Sequence, residues 1–169
     1  PACSDCTIRR MNVALLIAAA AVVAQEPGIS ADAAVEVANG ALAACRADGQ
    51  KVSVTVVDAS GRIKASLRDD GASPHSAEHS FRKAYTALTY RMTSGDVGKR
   101  AESAKGANIG PQLLPNMTTN PGGVPIRMGA ATIGAVGVSG TPGSAGGGEH
   151  DAKCAEAGIA RIAKDLEAR

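Results

Sequence analysis

Aromatic residues are almost missing from this chain. Phe81, Tyr85 and Tyr90 are the whole set, and there is no tryptophan. A platform on which single-stranded bases stack needs more π-faces than that. Charge of one sign is scarce too. Eighteen Lys and Arg against sixteen Asp and Glu leave a net +2, with the two signs interspersed, so no nucleic-acid surface is expected. Three histidines and four cysteines allow few metal-ligand combinations. The apolar run near the start falls short of the roughly 20 residues that span a bilayer, so no integral membrane span is expected. Twenty glycines and eight prolines are too few and too localised for a disordered or collagen-like chain. What remains is ordinary: 169 residues, 44% hydrophobic, enough for one domain around one core.

The first segment reads as an address. Arg9-Arg10-Met11 precedes the apolar stretch Val13–Ala24, which ends in Val22-Val23-Ala24. A basic flank, a short apolar core and small residues at the break are the grammar of a secretory signal. Cleavage after Ala24 is expected, with residues 1–24 removed and 25–169 forming a single domain in the periplasm or outside the cell. An Ala-rich core helix is the plainer alternative. Cys3-x-x-Cys6 is not followed by a second pair at zinc-like spacing. In the remaining chain Cys45 and Cys154 read as buried small apolar side chains, with a single bridge left open, since export would permit one.

The rest reads as helix, hairpin, helix, loop, hairpin, helix. Ser30 can cap a helix with Asp32 in its first turn, Ala34, Val37, Ala38, Ala41 and Cys45 on one side, and an end at Gly49. Val52–Val57 alternates and is β-branched. The turn Asp58-Ala59-Ser60-Gly61 leads to a second alternating run, Arg62–Arg68, and together they predict a hairpin with one wet face. Ser73-Pro74 can open a helix running to about Met92. Its core side would carry Ala77, Phe81, Ala84, Tyr85, Leu88 and Met92, and its other side His75, His79, Arg82, Lys83, Thr86 and Tyr90. Residues 95–123 form a long connection, with one short helix near Val97–Lys105, of the kind that covers a site or an interface. Pro125 puts strand 124–128 at an edge or a strand start. In strand 131–139, Gly134 and Gly137 predict something packed close to the backbone. Asp151 is expected to cap a last helix with Ala152, Ala155, Ile159, Ile162, Ala163 and Leu166 inward. Strands paired by short turns, with separated helices, make an α+β domain on an antiparallel sheet.

Chemistry has few places to reside. His75 and His79 are four apart and share a helical face. That spacing can hold a metal, and a histidine can be an axial ligand of haem iron, yet no glutamate follows His75 to make H-E-x-x-H. A solvated face is the plain reading; a face meeting a flat ligand, with Arg82 or Lys83 pairing its carboxylates, is the functional one. The Gly143–Gly148 loop fits neither phosphate-binding glycine motif and reads as a flexible connection. His150, between Glu149 and Asp151, can bind a metal weakly or be plain loop polarity. Ser139 lacks the G-x-S-x-G elbow of a serine hydrolase.

Six blocks occur in order: Val57-Asp58-Ala59-Ser60-Gly61, Arg68-Asp69-Asp70-Gly71-Ala72, Arg82-Lys83-Ala84-Tyr85-Thr86-Ala87, Gly122-Gly123-Val124-Pro125-Ile126, Ile133–Gly140, and Cys154-Ala155-x-Ala157-Gly158. From about residue 29 onward the chain resembles the GlcG/HbpS (DUF336) haem-binding family, which includes the C-terminal domain of PduO-type proteins. The resemblance implies a profilin-like α-β-α sandwich with a five-stranded antiparallel sheet, assembly into a homo-oligomer, and haem as the cofactor. It places His75 as the candidate axial ligand of haem iron, His79 as the alternative, and Arg82 and Thr86 beside the cofactor. The function implied is haem sequestration, buffering or redox sensing by an exported protein, with a sensor or transport partner. Two other readings stand beside it: an enzyme or accessory subunit of glycolate- or diol-type metabolite use, built around Gly122–Val124 and Gly137–Gly140, and a non-catalytic oligomerisation module. One departure is visible, because the family usually shows Asp-Glu where this chain has Asp151-Ala152.

Overall fold

The computed structural model describes residues 28–104, 114–143 and 147–167. The expected signal segment lies outside the described residues. Helix α1 is Ala31–Ala47, strands β1 and β2 are Ser53–Asp58 and Ile63–Arg68, and helices α2 and α3 are Ser76–Tyr90 and Ser94–Ser103. Strands β3 and β4 are Gly123–Met128 and Ala131–Ser139, followed by α4, Gly147–Ala160, and the short α5, Ala163–Glu167.

Local chemistry sets most of the boundaries. The Ser30 hydroxyl accepts from Ala33 N (3.2 Å), capping α1 as its sequence suggests. The Asp58 carboxylate accepts from Ser60 N and Arg62 N (2.9 and 3.1 Å), and Gly61 takes the positive φ (+78°) that closes the hairpin. Helix α2 begins later than Ser73 would have it. Ser73 contributes its carbonyl, which accepts from Ser76 N (3.0 Å), and His75 occupies the N-cap position without a side-chain cap. The other end of α2 stops at Tyr90, because Arg91 turns left-handed (φ 54°).

The described sheet has four strands in the order β2-β1-β4-β3, all antiparallel. The five-stranded sheet implied by the resemblance is corrected to four among the described residues. The residues themselves carry four β-branched or alternating runs, and these are the four strands. β3, with Pro125, is an edge strand, the first of the two placements expected.

Helices cover both faces. Val54, Val56, Val136 and Val138 join α1 and α4 in the larger core, each burial worth about 1.5–3 kcal/mol. Cys45 of α1 and Cys154 of α4 are disulfide-bonded, 109 residues apart in sequence. The plain reading of these two as unbridged apolar side chains is thus replaced by the bridge, which on chain-entropy grounds is worth about 4–5 kcal/mol. At the end of β2, Asp69 is held by Arg46 of α1 through two hydrogen bonds (3.1 and 2.9 Å). Those bonds keep its carboxyl below the usual range.

On the opposite face α2 lies almost on the strands. A Cβ on Gly137 would run into the carbonyl oxygen of Ser80 and come within 2.6 Å of Ala84 N. The close approach read from Gly134 and Gly137 is real, and α2 is the element that approaches at Gly137. Helix α2 can come this near because it presents Ser76, Ser80, Ala84 and Ala87. Ser76 bonds Ser53 and Ser80 bonds Thr55, hydroxyl to hydroxyl, both at 2.8 Å. The wet face expected for β1 is therefore corrected: Ser53–Val57 are all buried, and only β2 stays substantially exposed. The expected inward stripe of α2 is corrected as well. Phe81, Tyr85 and Leu88 are half-buried flanks, while Lys83 and Thr86 are buried.

Candidate functional site

Where the start of α2 meets the ends of β4 and α4, a cleft of about 500 Å³ opens. Its walls include His75 at the N-cap of α2, His79 and Lys83 of α2, Asn120 and Pro121 of the long connection, Ser139 at the end of β4 with Gly140–Gly143 after it, and Asp151 of α4. Residues 95–123 thus do cover a site, through their last few residues. The volume is within the roughly 300–1,000 Å³ of small-molecule and cofactor pockets.

His79 is the most constrained group. Its Nδ1 lies 3.1 Å from Ser139 Oγ, and its Nε2 lies 3.3 Å from both Asn120 Nδ2 and Thr118 Oγ1. With the Asn120 amide donating to Nε2, the ring proton resides on Nδ1 and is donated to Ser139. Burial, and then the neighbouring Lys83 charge, push the His79 pKa down to about 4. The ring is therefore neutral at ordinary pH, with its one lone pair, on Nε2, accepting from Asn120. His75 is different. It is exposed at the rim one turn earlier, its ring centroid 6.5 Å from that of His79. Among the described residues its ring has no hydrogen-bond partner.

Lys83 and Asp151 form the floor. Lys83 Nζ donates to Asp151 Oδ2 (2.8 Å) and to the carbonyl of Val138 (2.9 Å). Both side chains are nearly inaccessible, 3% and 2%. Burial lowers the lysine pKa against the pull of Asp151. Asp151 Oδ1 also accepts from Thr141 N (3.2 Å), which fixes the loop after β4. Asp151 is accordingly no helix cap: α4 starts four residues earlier, at Gly147, and Asp151 is an interior position turned toward α2. The last helix also breaks, so Ile162 lies between α4 and α5. Gly147 and Gly148, read as loop, form the first turn of α4.

The sequence candidates separate in space. His75 and His79 meet at the cleft. Arg82 pairs with Glu78 (2.5 Å) on the exposed side of α2 and does not line it. Thr86 is buried; its hydroxyl donates to Arg82 O (2.8 Å) and accepts from Thr118 N (3.0 Å), anchoring the connection that carries Asn120. Sequence reasoning passed over Ser139 and Asp151 as site residues, and Asn120 altogether. One signal existed for Asp151: Lys83 shares its side of α2 with the small residues Ser76, Ser80, Ala84 and Ala87, and a lysine buried on such a face needs a carboxylate. The cleft offers a neutral imidazole, a partnerless imidazole at the rim, a hydroxyl, and a buried ammonium–carboxylate pair. Such a set can ligate a metal centre at the rim and move or hold a proton on the floor.

No curated protein sequence matches the chain significantly. Solved structures do. HbpS superposes with a TM-score of 0.74 at 33% identity, covering 82% of this chain and 93% of that one. A double glutamate-to-aspartate variant of Streptomyces reticuli HbpS gives a TM-score of 0.76 at 30% identity, over 95% and 97% of the two chains. The PduOC:haem complex shares the fold, with a TM-score of 0.71 at 23% identity over 80% and 96%. The family described as "Haem degrading protein HbpS-like" matches residues 29–160. That stretch runs from the residue before the α1 cap to the end of α4 and takes in the whole described sheet and the cleft, so the chain belongs to the HbpS-like family.

Proposed function

We propose that this protein binds haem at the mouth of the cleft, with His75 as the axial ligand and His79 as the alternative. The observation that carries the reading is the pair of imidazoles at the rim, one exposed and partnerless and the other neutral, 6.5 Å apart. The donor set fits, because imidazole nitrogen is a common protein ligand of haem iron. His75 ligates without breaking any described contact, whereas His79 would first give up Asn120 and Thr118. The family description and the haem complex of PduOC support the same reading. Bound haem would bring redox and small-ligand chemistry of the iron. Arg82, one turn past Glu78 on the exposed side of α2, would be the residue to hold a propionate, giving up its present partner, and Thr86 would act by anchoring the connection that carries Asn120. Sequestration, buffering or redox sensing by an exported homo-oligomer is the role that goes with this site. An N-terminus at Gln25 in the mass of the secreted chain checks the export.

Haemin titration tests the binding. Wild type should give a sharp, shifted Soret band at one equivalent, and His75→Ala should abolish or move it. A broad band like that of free haemin from both proteins overturns the proposal. The Lys83–Asp151 pair beneath a neutral His79 favours one other reading, a small-molecule enzyme or accessory subunit. Thermal stabilisation by a metabolite, without haem binding, would select it.

A further inference from the structure

His150 and Asp151 are consecutive on α4 but serve different places. Asp151 faces the cleft. His150 turns to α1, where Nε2 lies 2.9 Å from Asp48 Oδ2. Its Nδ1 then lies 3.8 Å from Cys154 Sγ and 3.4 Å from Thr141 Oγ1. Cys45 supplies a second sulfur through the bridge to Cys154. One ligand atom from each of Cys45, His150 and Cys154 lies within 4.8 Å of the others.

We propose that reduction of the Cys45–Cys154 bridge converts this corner into a metal site of the Cys2His type for a thiophilic divalent ion such as Zn²⁺. The ligand types are those of zinc sites that keep one position open. One edge of the spacing agrees as well, and the two sulfurs part once the bridge is reduced: zinc–sulfur and zinc–nitrogen bonds of about 2.3 and 2.0–2.1 Å imply a tetrahedral N···S edge of about 3.6 Å. The observed Nδ1···Sγ distance is 3.8 Å. Asp48 completes the arrangement. Its carboxylate accepts the Nε2–H hydrogen bond, which leaves the Nδ1 lone pair on the side of Cys154 Sγ and Thr141 Oγ1, the carboxylate–histidine–metal order of many sites. Both cysteines are buried, and the His150 side chain, 26% exposed, is the way in.

The chemistry balances with a dithiol as reductant. Two electrons break the S–S bond, the reductant's two protons pass to Cys45 and Cys154, and the dithiol leaves as its own disulfide. Metal binding then releases both thiol protons. The fourth ligand is water or the Thr141 hydroxyl. The site needs no haem; it lies on the far side of Thr141 from His75 and His79, and Thr141 is the residue it shares with the cleft wall.

The test uses the full chain with Cys3→Ser and Cys6→Ser, reduced by a phosphine that is removed before anaerobic titration with Co²⁺. One equivalent should produce the absorption of tetrahedral thiolate-bound cobalt, and one equivalent of Zn²⁺ should displace it. The oxidised protein should give none. His150→Ala should weaken binding at least tenfold, and Asp48→Asn by about 10–100-fold. The proposal fails if the reduced chain binds no cobalt or if His150→Ala binds as tightly as the parent. It fails equally if reduction removes the helical circular dichroism, since the three ligands would then not be held together.

Discussion

On the α1/α4 face of the sheet, Val54, Val56, Val136 and Val138 are fully buried against apolar helix residues, and a disulfide joins the two helices. On the α2 face the same two strands present Ser53, Thr55, Ala135, Gly137 and Ser139. The first face is held by apolar area, which is non-directional and forgives small shifts. The second adds to a smaller apolar cluster of Val57, Ala84, Ala87 and Ala135 hydroxyl pairs, backbone approach and one buried ion pair, which are directional and demand position. The cleft opens on the second face. A site needs side chains held in place, and polar contacts fix geometry in a way that valines do not.

Three substitutions or conditions would break or sharpen this contrast. The largest effect is expected at Lys83. Lys83→Met leaves Asp151 buried without its cation, and urea unfolding should show a loss of about 3–5 kcal/mol. Adding Asp151→Leu should recover much of that loss, because both buried charges are then gone. A loss below the level of an exposed ion pair would mean the floor is wetter than its burial indicates. Next comes Gly137→Ala, which places a methyl against the Ser80 carbonyl and should cost about 1–3 kcal/mol by lifting α2. It should also disturb the haemin spectrum, because His79 moves with the helix. An equally stable variant with unchanged haemin binding would show that α2 is not fixed by that contact.

The smallest effect is pH dependence. Folding holds the His79 pKa near 4 against 6.5 for the free side chain. The unfolded chain therefore binds the proton first, and stability falls as pH drops from about 6.5 toward 4. For a half-buried ring screened by water the loss should be about 1–2 kcal/mol. His79→Gln should flatten that part of the stability profile; a profile that keeps its slope would assign the loss to other groups.

Legibility followed the same division. The elements of the apolar face were readable, since β-branched alternation and the Ser30 cap act through near neighbours. Gly137 announced a close approach without naming what approaches. Hydrophobicity alone points the wrong side of α2 inward. Ser76, Ser80 and Lys83 look like a solvated surface until Ser53, Thr55 and Asp151 are placed opposite them. His75 and His79 were legible from their four-residue spacing. Ser139, Asn120 and Asp151 were not, for they come from three other segments.

Composition and periodicity by themselves determined the main helix and strand types and the four strands, because each depends on contacts a few residues apart. Tertiary structure alone decided which polar side chains would be buried, that Cys45 and Cys154 would meet, and that Lys83 would neutralise Asp151. Those outcomes depend on partners 68 and 109 residues away. Whether a charge or a thiol finds its complement is settled only when the packing brings the two within bonding distance.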